Sequence, residues 1–152
     1  MKKIFIIMIS LMLGSAHAGD LHTDKYLLQT ILTSLTDTYA HLVTETLEHQ
    51  RSFKRALPLI GKKKKIKKMV CDKIEMVTSY AVYLLEETSR EVKTIDLPND
   101  HVQAFSESLV GILDHSKAAQ ESCKDMDNAL HELYEVEKDI NTTLDILSKL
   151  ED

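Results

Sequence analysis

The run of residues that most invites chemistry is Lys62-Lys63-Lys64-Lys65-Ile66-Lys67-Lys68. With Arg51, Lys54 and Arg55 just upstream, it places nine cations and no acid between residues 51 and 68. Like charges one turn apart on a helix repel, and cations at a helix start oppose its dipole, each by about a few tenths of a kcal/mol. A cluster kept against that cost suits electrostatic docking of an anionic partner: lipid head groups, lipopolysaccharide, nucleic acid or an acidic protein face. A solvated corner, or one that pairs with the acidic part of a second copy, accounts for the same run without a ligand. Nucleic acid fits least, because the run carries no interleaved aromatic residues on which bases would stack.

Other reactive side chains form weaker patterns. His41, Glu45, Glu48 and His49 recur at helical spacing, which suits metal ligation in principle. Their side of the helix is opposite Leu28, Leu35 and Leu42, so they read as a polar face in water. The Glu-x-x-His spacing of di-iron bundles occurs on no apolar seam, and there is no Cys-x-x-Cys-His for haem attachment. Glu137 falls on an apolar seam, where a carboxylate more often sets register than performs catalysis. No nucleophile–base pattern, glycine-rich phosphate loop or carboxylate pair is evident. The expectation is a non-enzymatic protein with no catalytic residue, metal ligand or cofactor assigned.

Compartment and cysteines belong together. Residues 1–18 have a Lys2-Lys3 basic start, an apolar stretch from Ile4 to Leu13, and Ala16-His17-Ala18 as a small-x-small cleavage site. That pattern reads as a bacterial secretory signal peptide cleaved after Ala18, which predicts a periplasmic or secreted product. Residues 19–152 then form a single helical-bundle domain, with no segment apolar enough to span a membrane. In an oxidising compartment Cys71 and Cys123 are expected to form a disulfide.

Stepping through the chain for the elements that must position these residues predicts an all-α fold. Leu28, Leu32, Leu35, Tyr39, Leu42, Phe53 and Ala56 carry an apolar seam on a first helix from about His22 to Leu57. Pro58 to Gly61 makes the first corner. A second helix leaves the lysine run, with Val70, Ile74, Val77, Ala81, Leu84, Thr88 and Ile95 on its seam. Asp96 to Asn99 makes the second corner, and short corners imply antiparallel neighbours. With that corner centred on residue 97, Cys71 and Cys123 sit at equal distances from it, hence at the same height.

From Val102 to Leu147 apolar residues recur every three or four positions: Phe105, Leu109, Ile112, Ala119, Cys123, Met126, Leu130, Leu133, Ile140 and Leu144 among them. The leading reading is one unbroken third helix in an antiparallel up-down bundle of three long helices. The alternative is four helices, with a break near 122–127 and Asp125 or Asp127 capping the fourth. An unbroken helix would carry Leu133, Ile140, Leu144 and Leu147 beyond the reach of the other two. Those four residues would then pair with a partner helix or a second copy, giving a homodimer. The charge is lopsided: residues 69–152 hold nineteen acids against seven bases, a net of −12, below a basic corner. The sequence thus points to an exported interaction protein with two surfaces. Arg51, Lys54, Arg55, Lys62, Lys63, Lys64, Lys65, Lys67 and Lys68 would dock an anionic surface or partner, and the apolar end of helix three would self-associate. A small-ligand or metal carrier in the bundle core is the alternative from a different class.

Overall fold

A computed structural model describes residues 21–56, 60–92 and 99–149. The expected signal peptide and much of the two predicted corners lie outside the described residues. The chain is all-α, with α1 over Leu21–Arg55, α2 over Ile60–Val92, α3 over Asn99–Glu121 and α4 over Met126–Ser148. Threonines are frequent in α1, and Thr30, Thr33, Thr36, Thr38 and Thr44 each donate a hydroxyl to the carbonyl four residues back. That back-bonding satisfies the polar side chain without taking it off the helix surface.

The leading expectation of one long third helix is corrected: residues 122–125 turn the chain back, as in the four-helix alternative. Ser122 still donates to Ala118 O at 2.9 Å, but Asp125 N closes a tight turn on Ser122 O at 2.8 Å. Asp125 takes an extended backbone (φ −105°, ψ 97°) and its carboxylate accepts from the N–H groups of Asp127 and Asn128 at 3.2 and 3.3 Å. A capping aspartate at a positive helix end stabilises the new start by roughly 1 kcal/mol.

Each helix packs on its chain neighbours, and α4 closes the ring on α1. That is the square, up-down-up-down four-helix bundle. The α3–α4 pair packs tightly where Gly111 faces Asp139, because a Cβ at Gly111 would collide with the Asp139 carboxylate. Leu28, Leu32, Leu35, Tyr39 and Leu42 of α1 meet Val70, Ile74, Ala81 and Leu85 of α2 in the core. Phe105, Ile112 and Ala119 of α3, with Leu133, Val136, Ile140 and Leu147 of α4, complete it.

The residues of the predicted self-association stripe take places inside the bundle. Leu133, Ile140 and Leu147 are buried within a single chain, and Leu144 is half-buried. The turn at 122–125 lays residues 126–148 back against α1 and α3, so the apolar stripe that seemed to demand a second copy already has its cover. Burying each of these large aliphatic groups favours the fold by roughly 1.5–3 kcal/mol. The seam also rotates along α4, so that Val136 and Thr143 occupy its centre and Glu137 moves to a half-buried edge. Burial holds the Glu137 carboxyl above the usual range.

Buried polar side chains in the core are cross-linked. Tyr39 Oη and Ser116 Oγ lie 2.8 Å apart and join α1 to α3 across the bundle. Thr143 Oγ1 donates to Ser108 Oγ at 2.8 Å between α4 and α3. Thr78 Oγ1 donates to Gln120 Oε1 at 3.3 Å between α2 and α3. Burial pushes the Tyr39 phenol up to about 12, against the opposing pull of its Ser116 hydrogen bond.

Candidate functional site: a basic tip with an apolar groove

The four helices differ in length. At about 1.5 Å per residue, α1 and α2 run for roughly 50 Å, and α3 and α4 for roughly 35 Å. The surplus is located by the disulfide that joins Cys71 of α2 to Cys123 in the α3–α4 corner, with Cα atoms 5.0 Å apart. Residues Ile60–Val70 of α2 precede that level, so about 16 Å of helix projects past the corner. The last turns of α1 accompany it, and Lys54 reaches back to Asp127 at the start of α4, 3.6 Å away. The projecting start of α2 bears six of the nine predicted cations, and the last turns of α1 beside it bear Arg51, Lys54 and Arg55.

The tip is more than a charged corner. Phe53 of α1 lies half-buried between the two helices, and Lys63 and Lys67 fold over it, their ammonium groups 4.9 and 5.2 Å from the ring centroid. Such cation–π contacts are worth about 0.5–1 kcal/mol at exposed sites. They also explain why Lys63 and Lys67 are half-buried while Lys62, Lys64, Lys65 and Lys68 are exposed. Beside the ring runs a groove of about 630 Å³ lined by Phe53, Lys63, Lys64, Lys67, Lys68, Cys71 and Lys124. Its walls are mostly carbon, from the ring and the lysine stems, with the Cys71 end of the disulfide between them. Lysines that lay their stems along an apolar surface keep their ammonium heads at the rim.

Among the lining residues there are five lysines and no carboxylate. Lys68 is partnered by Asp72 at 2.7 Å, and this pairing holds its ammonium above the usual range. Arg51, Arg55, Lys62 and Lys65 are exposed on the same tip without lining the groove.

Two lining residues, Phe53 and Lys124, were not among the predicted site residues. Phe53 continues the spacing of the α1 seam, so it reads as core. Only the position of the α3–α4 corner reveals that the four-helix core has ended before it. Phe53 also gives the lysine run an aromatic neighbour that the run itself does not contain. Lys124 comes from a turn that an unbroken third helix would not contain.

The remaining candidates are placed as follows. His41 is exposed, 3.6 Å from Glu45, and Glu45 also accepts from Lys73 of α2. The Lys73 hydrogen bond holds the Glu45 carboxyl below the usual range. These contacts make an ion-paired seam between α1 and α2. A cluster not singled out from sequence joins α3 to α4: His115 Nδ1 is 2.7 Å from Glu132 Oε2, and Nε2 is 3.8 Å from Asp139 Oδ2. That Asp139 oxygen is buried without a hydrogen-bond partner. Burial pushes the Asp139 carboxyl up, against the attraction of His115. Among the described residues, no three His, Cys, Asp or Glu are grouped to hold a metal ion. No helix among them is long and apolar enough to cross a membrane.

Fold and site together define a disulfide-linked four-helix bundle with a basic two-helix tip. No family model matches the chain, and neither does any curated protein or solved structure.

Proposed function

We propose that the protein is an exported, non-enzymatic interaction module that docks on an anionic lipid surface through its α1–α2 tip. The observation that carries this reading is the projection of the lysine-bearing start of α2, Ile60 to Lys68, past the level at which α3 and α4 turn. Projection matters because it removes the acidic remainder of the chain from the surface to be docked. A flat anionic surface then meets only the tip, with each exposed lysine near it contributing about 1 kcal/mol. The disulfide is consistent with an oxidising destination. The predicted second surface is no longer part of the proposal, since the residues assigned to it fill the core.

Flotation with vesicles containing an anionic phospholipid tests the reading. Retention is expected at low ionic strength and should fall steeply with added salt, whose screening length shortens to about 8 Å near physiological strength. Replacing Lys62, Lys63, Lys64 and Lys65 with Gln should mimic that salt. Equal retention of the parent and the substituted protein, or no retention of either, would refute the proposal.

A further inference from the structure

The tip's charge does not account for its groove. A purely electrostatic dock needs only ammonium groups in water, and Lys62 and Lys65 already meet that description. Lys63 and Lys67 instead cover an aromatic ring, and Lys64, Lys68 and Lys124 line the same depression. The result has two chemistries stacked in depth: a carbon floor made of Phe53 and lysine stems, and a cationic rim. Its volume, about 630 Å³, lies within the ~300–1,000 Å³ usual for small-molecule sites. A ligand that complements both layers has an apolar chain under an anionic head.

We infer that the groove holds one acyl chain of a membrane lipid, with the lipid's phosphate headgroup held at the rim by Lys63, Lys64, Lys67 and Lys124. Phosphate suits this rim because lysines act as point charges on its several oxygens without needing a planar fork. The chain displaces water from the part of Phe53 that lines the groove, and the headgroup draws the ammonium groups together over it. The tip then grips a single lipid instead of resting on a diffuse charge. The groove runs along the side of the projecting part of α2, from Lys63 down to Cys71 and Lys124 at the level of the corner, where a lipid beside the docked tip can enter it.

This inference rests on the lipid-docking reading, and its test separates the two. The intact protein is titrated with dodecyl phosphate below its micelle concentration, with inorganic phosphate, with dodecyl maltoside and with an acidic peptide. Saturable binding of one dodecyl phosphate is expected, at least about tenfold tighter than any of the others, as burial of several methylenes requires. Nuclear Overhauser contacts should connect the chain methylenes to the Phe53 ring in the unaltered protein. Phe53→Ser should weaken dodecyl phosphate by about tenfold while vesicle retention at low salt persists, because the rim charge is intact.

Equal affinity for inorganic phosphate, or absence of contacts to Phe53, overturns the groove assignment and leaves the charged tip standing. Preference for the acidic peptide overturns it in favour of a protein partner. Failure of the parent protein to bind vesicles overturns the docking reading itself.

Discussion

The body and the tip of this bundle are built from the same two helices by opposite rules. In the body, α1 and α2 are covered by α3 and α4, and every large side chain of the seam finds a partner. Polar side chains that enter it bond across helices, Tyr39 with Ser116 and Thr143 with Ser108, while one oxygen of Asp139 is buried without a hydrogen-bond partner. Towards the tip that cover thins, with Ile66 and Val70 still buried at its base. The one aromatic there, Phe53, is roofed by lysines that leave a groove beside it. The body is therefore where stability resides, and the tip tolerates charge repulsion because little of the core depends on it. Separating the two in this way lets the tip change without endangering the fold.

The sharpest way to break that division is to disturb the body at the centre of α4. Ile140 is fully buried, so Ile140→Asp should abolish cooperative folding, an effect above about 4 kcal/mol for a buried unpaired charge. Far-UV circular dichroism would show it. A well-folded Ile140→Asp variant would mean that α4 does not lie in the core.

The next largest effect tests the joint between the regions. Replacing Cys71 and Cys123 with Ser opens a loop with a sequence separation of 52, and should cost about 4 kcal/mol by the chain-entropy account. Thermal melting would report it. The loss should exceed that from any substitution confined to the tip.

Tyr39 yields a pH-dependent test of the body. Its folded value, about 12, lies above the ordinary phenol value of about 10. The contribution is thus fully present below about pH 10 and is lost as pH rises toward 12. Denaturant titrations should show a fall of roughly 2–3 kcal/mol across that window in the parent, and the Tyr39→Phe variant should lack this component. At neutral pH, Tyr39→Phe should cost about 1 kcal/mol for the lost hydrogen bond to Ser116. A parallel pH dependence in both proteins would show that Tyr39 is not the source.

The smallest effect belongs to the tip. Lys62, Lys64 and Lys65 are exposed, so their replacement with Gln should alter stability by no more than about 0.5 kcal/mol, toward greater stability as repulsion is relieved. The same denaturant titration checks it. A large loss would place the tip inside the cooperative unit and erase the contrast.

Much of the body was legible in the sequence, and the reasons are particular. The seams of α1 and α2 were readable because Leu28, Leu32, Leu35, Tyr39, Val70 and Ile74 keep helical spacing without interruption. The facing heights of Cys71 and Cys123 followed from the corner near Pro98 alone. The break at residues 122–125 was obscured because the turn is four residues long and occupies about one helical turn of sequence. The three-and-four spacing therefore passes from Cys123 to Met126 as though nothing had happened. Neither Gly nor Pro marks the turn, since Asp125 caps the new helix with its side chain. The groove was illegible for a related reason: it exists only because α3 ends before α2 begins, a difference in length that no local pattern records.

The disulfide has a mechanical consequence. Cys71 lies where the tip joins the body, and Cys123 lies at the end of the α3–α4 hairpin. A pull on a tip anchored to a surface would otherwise shear α2 along its neighbours and be resisted by side-chain packing alone. With the bond in place, load entering through α2 crosses to the α3–α4 corner through a covalent strut at the boundary. The hairpin cannot be peeled away from that end, and the molecule would transmit tension as a tether.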